Sequence, residues 1–571
     1  MIRFVLSWLL PYWKQVRGLM AGLFALTTLG ILTRTLYPVI FKFIIDALTE
    51  DFNIEVARNW VLALLGLGLL RELTQAVLPS TRAWLNFTNS LNVRMKHAAT
   101  ILRKPQGFYM KYPAGDLVTR LTDDIDQFEK IGWYSGSGIF RPIEAILTLV
   151  FSLSIMFALD WRLSLASALP LPIIVRLLAK TEGMQQKRYA ERQKATSETV
   201  EQLESSFSGS RIILGFGMEQ AQSTLLDRVL LRRKQAEKRV ISLQAILEGI
   251  FSLMNQAGLI VVLFLGGYFV VKDPEFTLGD FYAFVAYLSG LTMPLWTISW
   301  FFVSTNVTKT SIERLLEVEK EKESPRGERS LRDRHPVLHL SDLRFRHQKD
   351  TKLLEGISLD LRPGETVALV GSVGCGKTTL LECAMGIQEA DSGTVKLADL
   401  PLRELNDDSR ARHLAYAPQE PRLFTGTVRE NVRFGREFLT EDSLERAMAT
   451  ASIEGELSPE RKLQQGGSDL SGGQRGRVSL ARALAGDPKV LVLDDVTSAL
   501  DAATERRFWD RMRPLIPDAA VLVSTHRDAT AKRADRVLWI EDGVILHEGR
   551  HEDLLRDHRG YQELFAMDAE A

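Results

Sequence analysis

Six long apolar stretches crowd into the first 305 positions of this sequence, and they constrain its fold more than any other feature. They run at about 19–41, 59–80, 139–159, 163–179, 254–272 and 281–303. Each is near the ~20 residues a helix needs to cross a bilayer. The first begins MAGLFALTTLGIL and the fifth contains GLIVVLFLGGYFVV. Six such runs separated by charged connectors are hard to bury inside a soluble protein, so the pattern predicts six membrane-spanning helices.

Connector charge predicts their orientation. The segment after the second stretch carries Arg94, Lys96, Arg103 and Lys104. The segment after the fourth carries Lys187, Arg188, Arg192, Lys194, Arg232, Arg233, Lys234, Lys238 and Arg239. The opposite connectors are short or acidic, so both termini are expected in the cytoplasm and the chain in the cytoplasmic (inner) membrane. The opening MIRFVLSWLLPYWKQV has no small-residue cleavage site and reads as an interfacial helix over 1–18. The two basic connectors contain few Gly or Pro and read as helical extensions of the spans. They are broken at Tyr112-Pro113-Ala114-Gly115-Asp116 and at Phe207-Ser208-Gly209-Ser210.

After residue 305 the pattern changes. Helical character continues to Val318, followed by the charged stretch EKEKESPRGERSLRDRH, which reads as a solvated linker. From 337 onward, buried-strand runs such as Thr366–Val370, Val490–Leu493 and Ala520–Val523 alternate with helices. The expected fold class is an α-helical six-span membrane domain with long cytoplasmic extensions, followed by an α/β domain. The expected parts are an interfacial elbow (1–18), a membrane domain (19–318), a linker (319–336) and the α/β domain (337–571). Lys+Arg and Asp+Glu both total 71. That balance excludes a whole-chain nucleic-acid binder. With only Cys375 and Cys383 present, a disulfide scaffold and a Cys-based zinc site are also excluded.

The α/β part carries the chemistry. Gly371-Ser372-Val373-Gly374-Cys375-Gly376-Lys377-Thr378, with Thr379 next, fits G-x-x-x-x-G-K-[ST] between a buried strand and a helix. Its glycines let backbone N–H groups cradle phosphate oxygens, and the helix N-terminus adds partial positive charge. Lys377 reaches the β- and γ-phosphates, and Thr378 supplies a hydroxyl to Mg²⁺. Val490-Leu491-Val492-Leu493-Asp494-Asp495 is an apolar strand ending in carboxylates. Alone it reads as a plain buried strand; behind a phosphate loop, Asp494 becomes a Mg²⁺ ligand. Leu470-Ser471-Gly472-Gly473-Gln474 opens a helix and offers a second anion site.

With these three elements in order, residues 337–571 resemble the nucleotide-binding domain of the ATP-binding-cassette superfamily. The resemblance implies ATP as ligand and several further roles. Gln419, in Tyr416-Ala417-Pro418-Gln419, looks like the Q-loop residue that senses Mg²⁺. Ser498-Ala499-Leu500-Asp501 looks like the D-loop, and His526 like the switch histidine at the γ-phosphate. His347 stands where an aromatic side chain stacks on adenine. Gly115–Asp124 and Ser206–Phe216 are similar to the intracellular loops of exporters, and six spans plus one cassette is the half-transporter layout. Two chains would then sandwich two ATP molecules.

The chain departs from that pattern at Asp495, where the family places the general base Glu. Losing a methylene withdraws the carboxylate by roughly 1 Å from the 2.6–3.2 Å reach a base needs, and a misplacement of that size costs on the order of 100-fold in rate. The approach Leu463-Gln464-Gln465-Gly466-Gly467-Ser468-Asp469 has glutamines where acids are usual. A weakened base beside an intact signature resembles one subunit of a heterodimeric exporter. Its own site would hydrolyse weakly, and its Ser471 signature would complete the partner's site. The alternatives are a homodimeric lipid flippase or drug exporter using Asp495 as base, and an ATP-gated regulatory or structural subunit. Drugs, lipids and peptides stay open as cargo. Ionisable residues in or near the spans are Arg34, Arg71, Glu72, Arg82, Arg141, Glu144, Arg176 and Glu248, with mutual pairing as the plain expectation. Trp296, Trp300, Phe301 and Phe302 could wall a cargo site or simply pack.

Overall fold

A computed structural model describes residues 1–49, 52–168, 170–331, 336–348 and 351–569. The chain divides into two compact units. One is Met1–Leu102 with Ala114–Lys320; the other is Arg103–Pro113 with Glu321–Ala571.

The first unit is helical. An amphipathic α1 (Ile2–Gln15) precedes α2 (Arg17–Thr49) and the 48-residue α3 (Ile54–Ile101). Asn53 starts α3 by accepting from the backbone N–H groups of Glu55 and Val56, as an N-cap should. The short α4 (Gln106–Lys111) groups with the second unit. The return path is segmented, not one continuous helical extension: α5 (Ala114–Leu121), α6 (Asp123–Asp126), α7 (Ile131–Trp133) and a π-helical turn at Tyr134–Gly138 lead into α8 (Ile139–Leu159). Next come α9 (Trp161–Ala168), α10 (Pro170–Ser208), α11 (Ser210–Phe216), the 54-residue α12 (Glu219–Lys272), α13 (Leu278–Gly290) and α14 (Thr292–Lys320). A Thr277–Asp280 capping box starts α13.

The expected breaks at 112–113 and 209 are present. A further one follows α11, where Gly217 adopts φ +63 and closes that helix. Among the described residues, five helical runs are long and apolar enough to cross a membrane: Arg17–Thr49, Ile54–Ile101, Ala114–Leu159, Glu219–Lys272 and Leu278–Lys320. The fourth expected stretch, 163–179, straddles Leu169, which lies outside the described residues together with several neighbouring side chains.

Two polar groups inside these helices find partners on neighbouring segments, as low-dielectric surroundings favour. Arg82 of α3 meets Glu144 of α8 at 2.5 Å. Asn86 of α3 exchanges hydrogen bonds with Ser137, donating to its Oγ at 2.9 Å and accepting from its backbone N–H at 3.1 Å. The π-helical turn can approach this closely because Gly136 has no side chain; a Cβ there would sit 2.4 Å from Asn86 Oδ1.

The second unit is α/β. A four-stranded antiparallel sheet contains β1 (Leu338–Gln348), β2 (Thr351–Leu361), β4 (Ser392–Leu397) and β5 (Leu400–Pro401). The larger sheet has the order β12-β11-β3-β10-β9-β6. Its strands are β3 (Thr366–Val370), β6 (Leu414–Ala417), β9 (Val490–Asp494), β10 (Ala520–Ser524), β11 (Arg536–Glu541) and β12 (Val544–Gly549). A small β7–β8 pair joins Gly426–Thr427 to Lys462–Leu463. Only β12 runs antiparallel in the larger sheet. Along β3, Val367 and Leu369 enter one core while Ala368 and Val370 enter the other. This two-faced burial is why β3, β9 and β10 read as continuous apolar runs. The helices include α15 (Lys377–Ala384), α16 (Asp407–His413), α17 (Val428–Arg433), α18 (Glu441–Thr450), α19 (Gly472–Leu484) and α20 (Ala502–Leu515).

Candidate functional site

Parallel pairing decides the site. Because β3, β10, β9 and β6 run the same way, their carboxyl ends share one sheet edge. Ser524 stands opposite both Leu369 and Asp494, and Ala417 opposite Leu493. Ligands of open α/β sheets bind at such an edge. The phosphate loop, Asp494–Asp495, His526 and Gln419 each follow one of these four strands.

The phosphate loop turns sharply after Val370. Gly374 and Gly376 adopt φ +85 and +101, the left-handed region that glycine tolerates. Gly371 has a second requirement: a Cβ there would lie 2.1 Å from the Ile540 carbonyl oxygen on β11. Lys377 opens α15, and its buried ammonium donates to Gly371 O at 2.7 Å and Ser372 O at 2.9 Å. Its charge is thereby held on the inner side of the loop. Ser372, Val373, Gly374 and Thr378 are exposed, while Cys375 and Thr379 are buried.

Asp494 ends β9 and is 2% exposed. Two groups that sequence reading missed hold it. Ser524 donates its hydroxyl to Asp494 Oδ1 at 2.6 Å and accepts from the Asp495 backbone N–H at 2.9 Å. Tyr416 lies 3.5 Å from Asp494 Oδ2. Burial, and next the Asp494 charge, push the Tyr416 phenol well above its usual range. The available hints were that Ser524 precedes Thr525-His526 and that Tyr416 precedes the glutamine motif. Asp495 itself adopts φ +46. Asp and Asn enter that region more readily than other non-glycine residues. His526 is half-buried just past β10, and Gln419 is exposed just past β6.

Ser471 caps α19. Its hydroxyl accepts from the Gln474 N–H at 3.2 Å, and Gln474 Oε1 accepts from the Ser471 N–H at 3.1 Å. Ser471 and Gly472 are exposed at this helix start, and Gly473 is half-buried. In the approach, Gly466 and Gly467 adopt φ +69 and +68. Asp469 accepts from the Gln464 N–H, which comes first among the causes holding its carboxyl below the usual range. Ser498 and Ala499 lie on a 3-10 turn (Val496–Ala499), with their side chains outside the described residues. Leu500 is buried, and Asp501 caps α20 through the N–H groups of Ala503 and Thr504. His347 is placed on β1, and its side chain also lies outside the described residues.

The residues present fit ATP and Mg²⁺. Close packing fixes the loop's backbone: a Cβ at Gly371 would meet Ile540 O and one at Gly376 would meet Leu353 O, while Gly374 is open on its outer side. The three side chains expected to hold Mg²⁺, Thr378, Asp494 and Gln419, each offer an oxygen, the ligand type that ion prefers.

Residues 20–295 match the ABC transporter transmembrane region, and residues 354–498 match the ABC transporter family. A protein of Desulfotalea psychrophila named ATP-dependent lipid A-core flippase is 30% identical over 488 residues, covering 83% of this chain and 83% of that protein. This chain belongs to the ABC transporter family. A protein of Chromobacterium violaceum with the same name is 29% identical over 579 residues, covering 99% of this chain and 97% of its own length. The fold matches a solved bacterial Atm1-family ABC exporter with ATP bound at TM-score 0.81. Identity there is 19%, with coverage of 97% of this chain and 99% of that one. The chain therefore has the half-transporter architecture: a mostly helical membrane domain followed by an α/β nucleotide-binding domain. It is a multi-pass inner-membrane ABC transporter that binds and hydrolyses ATP.

Proposed function

We propose that this chain exports or flips an amphiphilic lipid or drug as a symmetric homodimer, with six spans per chain and both termini in the cytoplasm. The observation that carries this reading is similarity, over 99% and 83% of this chain, to two proteins named ATP-dependent lipid A-core flippase. The chain also contains a complete set of motifs, so two copies supply everything a symmetric pair of sites needs. ATP sits on the phosphate loop of one chain, with its γ-phosphate facing the Ser471 helix start of the other. Lys377 meets the β- and γ-phosphates. Mg²⁺ held by Thr378, Asp494 and Gln419 supplies charge neutralisation at the phosphate oxygens. His347 stacks on adenine, and Leu500 with Asp501 fixes the turn after the acidic strand. Asp495 accepts the proton of the attacking water, and His526 hydrogen-bonds the γ-phosphate. Closure around ATP is transmitted by the connectors near 112–116 and 207–218. Differential contacts with the two states shift the membrane domain between inward- and outward-facing populations.

The test is ATPase activity of the chain purified alone in lipid. We expect a dimer that hydrolyses ATP and loses about 100-fold or more of its rate in Asp495→Asn. A second reading is favoured by the shorter Asp495 side chain: a heterodimer in which this chain's own site is weakly hydrolytic. An inactive single chain that becomes active only with another half-transporter, and is then indifferent to Asp495→Asn, would establish it.

A further inference from the structure

Glu505 is a carboxylate that the site described above leaves unused. It lies one turn into α20, the helix that Asp501 caps, and is only 4% exposed. A charge that deep persists only when it is paired and hydrogen-bonded. Its partners come from another segment. Arg527 donates to Glu505 Oε2 at 2.5 Å. The buried Thr530 hydroxyl, on the short α21 (Asp528–Ala531), donates to Oε1. Both carboxylate oxygens are thus turned toward the segment after β10, and Arg527 directly follows His526.

That segment is fastened on both sides of His526 but not at the ring. Before it, the Thr525 N–H donates to Leu369 O at 3.1 Å, two residues ahead of the phosphate loop. The Thr525 hydroxyl accepts from the Arg527 N–H at 3.0 Å, closing a tight turn around His526. After it, Asp528 meets Lys532 at 2.6 Å and His551 Nε2 at 2.8 Å. His526 itself is half-buried and, among the described residues, makes no hydrogen bond or ion pair. Its neighbours are held while its ring nitrogens stay available. Of these anchors, Glu505 alone belongs to the helix that starts at Asp501, so it ties the turn after the acidic strand to the histidine segment.

We infer that Glu505 is a positioning residue for His526: through Arg527 and Thr530 it sets where the imidazole stands at the γ-phosphate. The inference rests on the role proposed for His526 and adds the group that aims it. A hydrogen bond that strengthens as charge develops on the phosphate acts on kcat and on the affinity for transition-state analogues, with little effect on ATP binding. Steady-state ATPase of the full chain in lipid nanodiscs gives kcat, KM for ATP and the inhibition constant of orthovanadate, which with ADP mimics the five-coordinate phosphorus. We expect Glu505→Gln to lower kcat about tenfold and raise the vanadate constant about tenfold, with KM changed less than about twofold. Loss of folded protein would lower kcat alone, because an inhibition constant does not depend on how many molecules are active. Wild-type values of both constants, or a lower kcat with an unmoved vanadate constant, overturns the inference. Asp510→Asn is the control, since it removes an exposed pair between the same helix and Arg533 at 2.8 Å. It should change nothing, and an equal shift there overturns the inference too. Should Glu505→Gln fail to fold, Thr530→Val removes one donor to the carboxylate and decides by the same two constants. His526→Ala separates the two readings. If it moves neither constant, the role proposed for His526 falls and Glu505 has nothing to position. If it moves both and Glu505→Gln moves neither, only the inference about Glu505 falls. A chain without ATPase overturns both.

Discussion

Asp495 is one methylene short of the family's base, yet it occupies a left-handed backbone position that suits Asp. The two facts pull in opposite directions. Asp495→Glu should extend the carboxylate toward its target and raise kcat several-fold, while losing up to about 1 kcal/mol of stability to backbone strain. Paired ATPase and thermal-unfolding measurements separate these effects; a variant both slower and no less stable would contradict the geometry. Ser524 makes a second residue-scale prediction. It serves Asp494 and the Asp495 N–H together, so Ser524→Ala leaves a buried acceptor and a donor poorly satisfied. That should cost about 1–3 kcal/mol and raise the Mg²⁺ concentration needed for half-maximal ATPase. A variant normal in both would mean that Asp494 is held by other groups.

Among the elements, α3 and α8 illustrate why charges persist in apolar helices. Arg82 is 7% exposed and its partner is Glu144. Removing one member strands the other in low dielectric, so Glu144→Leu should destabilise by about 3–5 kcal/mol. The double variant Arg82→Met with Glu144→Leu should recover most of that loss, because the pair's attraction only offsets its own desolvation. A double-mutant cycle on thermal unfolding in detergent checks this. Losses that simply add would show that the two side chains are not coupled.

At the scale of the whole molecule, the proposal places each ATP between one chain's phosphate loop and the other chain's signature. Complementation tests that arrangement. Lys377→Ala and Ser471→Ala chains should each be nearly inactive alone. Mixed dimers should regain activity, because one of their two sites combines an intact loop with an intact signature. ATPase of the co-expressed, doubly tagged pair measures it. Absence of any recovery would place both halves of each site within one chain.

What the sequence determined by itself is what short-range spacing can carry. Apolar runs of membrane length, the glycine-lysine loop and the acidic strand end are local patterns, and each chemical group sits within a few residues of its partners. The break at Gly209 was legible for the same reason. The rest depended on groups far apart in the chain. Ser524 lies thirty residues from Asp494 and meets it only because β9 and β10 pair in parallel register. The segmented path through α5 to α8 follows from packing against α3, where Gly136 and Asn86 must fit, and helical periodicity does not encode that. The mixed fate of Trp296, Trp300 and Phe301 was likewise undecidable from a row of aromatics. Only α10, α12 and α14 converging could leave two indoles lining a recess and turn Phe301 onto Tyr134, because a helix repeats every 3.6 residues and its neighbours choose which face is filled.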